Sequence, residues 1–214
     1  MNAKNDLLDL LDDDGIKNDF FMEEEVELKT KEAKRAMKNY FKHIQVRSSA
    51  ATLLLIKFGQ ESAAKVNQDS IDGQLDHFLR DMNQDIQHTK QVLDDAGIST
   101  LVSVTGGIKG IVKITSPTGF QFLNLLKRWD VLNIHLVTLY MRQEISQQEV
   151  IKSTHQWGQR LKKFNALVEN LSITAYKATD QLKRQSHEKA IERKKRVRPA
   201  KTVKPKVATE KLPA

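Results

Sequence analysis

The sequence predicts a mainly α fold with a small β component, and three observations carry that reading. Apolar residues recur at helical spacing over most of the 214 residues, two short segments alternate with a period of two, and charge is polarised along the chain. The organisation that follows is an acidic arm over 1–22, a strand-helix-helix unit over 23–60, a helical body over 61–182 with one further short strand or hairpin near 108–115, and a basic, disordered tail over 183–214.

In the arm, Leu7, Leu8, Leu10 and Leu11 and then Phe20 and Phe21 are apolar clusters in acidic surroundings. A strand is expected at about 25–30, where Val26 and Leu28 alternate with Glu25, Glu27 and Lys29. Thr30 suits the cap of the next helix, and Glu32 in its first turn suits the helix dipole. There Ala33, Ala36, Met37, Tyr40, Phe41 and Ile44 fall on one stripe, with Lys31, Lys34, Arg35, Lys38 and Lys42 opposite. A break is expected near Gln45 to Arg47, after which Ser48 or Ser49 caps a helix through Leu53, Leu54, Leu55, Ile56 and Phe58. Apolar on all sides, that helix needs a partner to bury it.

Helices are next expected over 60–68 and 71–95, closed by Gly97. Residues 101–115, rich in Val, Ile and Thr around Gly106, Gly107 and Gly110, read as a hairpin or as one strand after a glycine turn. Ser116-Pro117 opens a helix over about 117–143 with Pro at its first position, and Ser146 caps another through Trp157, Leu161, Phe164, Leu167, Val168 and Leu171. The short connection predicts that these two pack antiparallel. Beyond about 192, Arg193, Lys194, Lys195, Arg196 and Arg198 stand almost without large apolar residues, so burial cannot offset the entropy of ordering.

The net charge of +8 hides a larger asymmetry. Residues 1–27 hold ten acidic and two basic side chains, whereas 183–214 hold twelve basic and three acidic; residues 28–47 alone hold seven basic against Glu32. Such local density is the footprint of a polyanion-binding surface. Zero cysteines excludes disulfides, thiolate metal sites and a cysteine nucleophile. The six histidines form no metal-binding spacing, and Gly106-Gly107-Ile108-Lys109-Gly110 lacks the end of a phosphate-binding loop. His135 sits among apolar residues as a hydrogen-bonded core histidine. The expectation is therefore a protein without enzymatic activity, cofactor, metal or evident small-molecule ligand, with no membrane span and a cytoplasmic, nucleoid- or plasmid-associated location.

Glu25 to Lys29 as ribbon, Thr30 to Ile44 as first helix, and Arg47-Ser48-Ser49-Ala50 opening the second resemble the ribbon-helix-helix family of DNA-binding regulators. The resemblance implies a homodimer whose two strands pair into an antiparallel ribbon in the major groove of double-stranded DNA. Val26 and Leu28 then face the protein, and Glu25, Glu27 and Lys29 face base edges. Thr30, Lys31, Lys34 and Arg35 become phosphate contacts, as do Arg47, Ser48 and Ser49 at a helix N-terminus. The tail residues Arg193, Lys194, Lys195, Arg196 and Arg198 add non-specific attraction. The second strand, carrying Lys113 and Thr115 on one face and Val112 and Ile114 on the other, offers an alternative partner within the same chain. The helical pattern around Ser116-Pro117, Phe122, Leu125, Leu126, Trp129-Asp130 and Trp157 to Leu171 looks like a family encoded by conjugative plasmids and integrative conjugative elements. That likeness implies a transcription regulator, an activator of conjugative-transfer genes; the competing expectation is a helical protein-interaction or assembly factor of a conjugation apparatus.

Overall fold

The computed structural model describes the backbone of residues 21–196 and the side chains of 21–191. The acidic arm up to Phe20 and the tail from Val197, with Arg198, lie outside the described residues. Strand β1 (Met22–Leu28) leads through Thr30 into α1 (Lys31–Ala36), a π-helical turn (Met37–Phe41) and α2 (Lys42–Lys57). Then come α3 (Glu61–Asp95), β2 (Ile108–Ile114), α4 (Pro117–Met141) and α5 (Gln147–Arg196).

The local signals act where the sequence placed them. The Thr30 hydroxyl accepts from the Ala33 amide and the Ser116 hydroxyl from the Gly119 amide, with Pro117 in the first turn of α4. Ser146 and Glu149 form a reciprocal capping box: the Ser146 amide and hydroxyl donate to Glu149 Oε2 at 2.7 and 2.8 Å, and the Glu149 amide donates back at 3.3 Å. These bonds to its charged form hold the Glu149 carboxyl below its ordinary pKa. Gly97, at φ +66, follows α3 in the left-handed conformation that closes helices.

Three expectations are corrected. No break occurs at Gln45–Arg47: α1, the π turn and α2 form one continuous helical rod from Lys31 to Lys57. The polar residues that resembled a break are satisfied inside it, since the Ser48 and Ser49 hydroxyls donate to the Gln45 carbonyl and Thr52 to that of Ser48. Residues 60–68 and 71–95 likewise join as α3. Finally, helix α5 carries residues 183–196, expected as unstructured, one side of it stabilised by the Asp180–Arg184 pair a turn apart.

Contacts fix the helix directions. Asn133 meets Thr154, and Phe122 stacks on Phe164, so α4 and α5 are antiparallel as expected from their short connection. Arg47 meets Glu169 and Phe58 meets Lys183, so the α1–α2 rod runs parallel to α5. Helix α3 packs mainly on α4, with Thr89 against His135. One core joins Val26 and Leu28 of the ribbon, Ala33 to Ala51 of the rod, Ile71 to Met82 of α3, and the aromatic cluster of Phe78, Phe122, Trp157 and Phe164.

His135 is a core histidine, 7% exposed, with Nδ1 3.0 Å from the Thr89 hydroxyl. Burial, aided by nearby Lys90, holds its pKa below the ordinary 6.5. The unfolded chain therefore takes up a proton near pH 6.5 that the folded chain refuses until its own lower pKa is reached. The stability difference is preserved above 6.5 and lost as pH falls through that window. Urea midpoints should drop on acidification in the native protein, and His135→Gln should flatten this part of the profile; an unchanged slope would place the acid sensitivity elsewhere.

Candidate nucleic-acid interface

Strands β1 and β2 form a two-stranded antiparallel ribbon within one chain, pairing Glu23 with Lys113, Glu25 with Ile111, Val26 with Gly110 and Glu27 with Lys109. The expected intermolecular partner is thus supplied along one edge by β2. This register answers the oddity of an acidic ribbon. Two copies of β1 laid antiparallel around Glu25 would set glutamate against glutamate, whereas β2 sets lysines opposite Glu23 and Glu27.

Strand parity falls as expected. Val26, Leu28 and Ile114 are buried, and Glu25, Glu27, Lys29, Lys109 and Lys113 face outward. Glu24 sits on the core-facing side and is accommodated by Lys127 of α4, which donates to it at 2.7 Å. Outward ion pairs join Lys109 to Glu25 at 2.9 Å and Lys29 to Glu27 at 3.8 Å, and Lys113 lies 4.4 Å over the Phe21 ring. With about half or more of each ion-pairing side chain exposed, such pairs are worth roughly 0–1 kcal/mol and open easily to another partner.

The ribbon is clamped from behind. Asp130, 5% exposed on α4, accepts from the Lys29 amide at 2.9 Å and from the Thr30 amide and hydroxyl at 2.7 and 2.6 Å. At the other strand, Gln45 donates to the Lys113 carbonyl and accepts from the Thr115 amide at 3.1 Å. Gly119 leaves room for that amide: a Cβ there would lie 2.6 Å from Gln45 Oε1.

The predicted phosphate contacts divide into two groups. Lys31, Arg35, Lys38 and Lys42 are exposed along the rod and have no ion-pair partner among the described residues. Lys34 donates to the Gly106 carbonyl at 2.7 Å and holds the glycine turn before β2. Thr30 is buried in the Asp130 clamp. Arg47, Ser48 and Ser49 lie within α2, far from any helix end. Arg47 is 7% exposed and donates to Glu169 of α5 at 2.8 Å, so the expected clamp of a phosphate at a helix N-terminus does not form there. Thr115 follows β2, its amide turned to Gln45. Arg193, Lys194, Lys195 and Arg196 close α5.

Lys109 belongs to the outward face and was not singled out by sequence. The signal lies in the alternation of Lys109, Ile111 and Lys113, two residues apart.

No protein-family model matches the chain, and no curated protein matches it. A solved structure does. Selenomethionine-containing AcaB from uropathogenic E. coli superposes with a TM-score of 0.72, covering 78% of this chain and 87% of that one at 18% identity. The chain has the AcaB fold. At that identity the likeness shows architecture alone, and with 78% of the chain covered it extends well beyond an N-terminal unit. Among the described residues, no helix is long and apolar enough to cross a membrane, and no cluster of three or more metal-ligating side chains occurs.

Proposed function

We propose that this protein is a sequence-specific regulator that binds double-stranded DNA as a homodimer and activates conjugative-transfer genes, with the β1–β2 ribbon as its reading element. The observation that carries this reading is the outward face of the ribbon. A two-stranded ribbon has the width the major groove admits, and this one presents Lys29, Lys109 and Lys113 as donors to guanine and Glu25 and Glu27 as acceptors from cytosine. Lys31, Arg35, Lys38 and Lys42, exposed and without an ion-pair partner among the described residues, supply sequence-independent attraction beside it. The AcaB fold and the sequence resemblance to the conjugative-element family support the regulatory part of the reading.

The test is binding to duplexes from upstream of its own gene and of neighbouring transfer genes, measured by fluorescence anisotropy across salt concentrations. Affinity should fall with a log-log slope of about −0.9 per phosphate contacted, while preference for one sequence persists. Lys29→Ala and Lys109→Ala should each cost on the order of 1–3 kcal/mol at one base pair and relax preference there. Deleting the tail should instead weaken all sequences alike. Equal affinity for every duplex would sink the reading.

A second reading, a protein-interaction or assembly factor, draws on the same face. Ile111, 69% exposed, is a large apolar side chain at the centre of that face, opposite Glu25. Absence of any duplex binding, with Ile111→Lys abolishing capture of a transfer protein, would favour it.

A further inference from the structure

A groove of about 300 Å³ lies between the rod and α5, one side formed by α1 and the π turn and the other by the residues around Gly158. Its volume sits at the lower end of small-molecule sites. Four independent features converge on it. Arg35 and Lys162 place two cations at its wall against one carboxylate, Glu32, and neither cation has an ion-pair partner among the described residues. Trp129, 4% exposed, lines it, and its buried Nε1–H has no acceptor among the described residues. A buried donor without a partner costs about 1–3 kcal/mol and is rare in folded proteins.

The π turn itself sends Asn39 and Tyr40 to the lining, and such turns cluster at functional sites. The fourth feature is Gly158, in the interior of α5. Glycine there disfavours the helix by about 1 kcal/mol relative to alanine, yet a Cβ at this position would meet no atom within 4 Å. Among the described residues, no neighbouring group needs the space that the missing side chain leaves.

We propose that this groove binds a small ring-bearing anion of mononucleotide type, the ring lying against Tyr40 and Trp129 and the phosphate between Arg35 and Lys162. Trp129 Nε1–H then donates to a ligand acceptor, and Asn39 offers a further amide. The site is separate from the ribbon face but shares Arg35 with the cations assigned to DNA phosphate, so Lys162→Ala, at a residue given no DNA contact, is the variant that tests the groove apart from the DNA-binding reading. A ligand there bridges the rod that follows the ribbon to α5, which suits an effector.

The experiment is an indole-region ¹H–¹⁵N spectrum of the full-length protein, which has two tryptophans. Trp157 serves as internal control because its Nε1–H is already held by Asp85 at 2.8 Å; Trp129→Phe assigns the signals. Adenosine monophosphate should move the Trp129 signal saturably and leave that of Trp157 in place. Arg35→Ala and Lys162→Ala should each weaken this response about tenfold, as expected for loss of a charge-assisted hydrogen bond. Gly158→Leu should abolish it by filling the groove, with Gly158→Ala weakening it if the larger side chain disturbs folding.

A Trp129 signal that stays fixed with the nucleotide, or that responds equally in the Gly158 and Arg35 variants, overturns the proposal. Inorganic phosphate producing the whole response overturns its ring-binding part. Movement with duplex DNA but not with the mononucleotide assigns the groove to the DNA interface and overturns the effector site.

Discussion

Asp130→Ala is expected to destabilise the protein by about 3–4 kcal/mol, among the largest effects of any single substitution in this fold. The carboxylate is buried and accepts three hydrogen bonds from two consecutive residues, Lys29 and Thr30, a hundred positions away in sequence. Hydrogen bonds to a charged group are worth about 1.5–3 kcal/mol each, and removing the acceptor also strands a buried amide and hydroxyl at Thr30. Both groups stand at the junction of β1 and α1, so the loss falls on the hinge that aims the ribbon. The urea midpoint should fall with little change in slope. Asp130→Asn keeps one acceptor oxygen but sets an amide donor against a backbone donor, and should recover only about half of the loss. Thr30→Val removes the cap and one bond, for about 1–2 kcal/mol. In amide exchange, Thr30 should be well protected in the native protein and lose that protection in Asp130→Ala before the α4–α5 core opens. A loss below about 1 kcal/mol in Asp130→Ala would show that the ribbon is anchored by its apolar face alone.

The features legible in the sequence are those whose cause is local. Thr30, Ser116-Pro117, Ser146 and Gly97 act through residues within four positions of themselves, and each stands where its helix begins or ends. The parity of Val26 and Leu28 was also readable, because a strand with one buried face leaves a period of two. The illegible features depend on distant partners. Gln45, Arg47, Ser48 and Ser49 look like a loop because they are polar, but they find partners in Lys113, Thr115, Glu169 and the preceding turn of the same rod. A local pattern cannot tell a polar residue that faces water from one that meets a complementary group seventy or a hundred residues away. Trp129-Asp130 stands in the sequence as a pair, yet nothing near it says that the carboxylate caps another element.

The pairing of β1 with β2 lies between these cases. Both strands were visible, and the glutamates of one and the lysines of the other carried the information needed to match them. Charge complementarity across the ribbon, rather than strand propensity, decides between a second copy and the same chain. The same matching bears on function, because it turns outward glutamates from an obstacle to DNA binding into half of a donor and acceptor set.

Arg47 provides the second large effect and the sharpest separation of structure from function. Its guanidinium, with the side chain 9% exposed, meets a Glu169 carboxylate that is 20% exposed, tying the rod to α5. Arg47→Ala leaves that carboxylate facing a cavity and should cost about 3 kcal/mol, near the lower end for breaking a buried pair, because Glu169 keeps some contact with water. Arg47→Met should be far milder, since it fills the space and also removes a buried Nε–H that has no acceptor among the described residues. A double-mutant cycle with Glu169→Gln should return a coupling of about 1–3 kcal/mol. DNA binding should respond differently. Because Arg47 lies inside the rod, the folded Arg47→Met protein should bind duplex with unchanged affinity and an unchanged salt slope, whereas Arg35→Ala on the exposed face should lower both. If Arg47→Met instead lowers the slope by about 0.9, the equivalent of one lost phosphate contact, then α2 must open at Arg47 on binding, and the continuous rod is a state of the unbound protein alone.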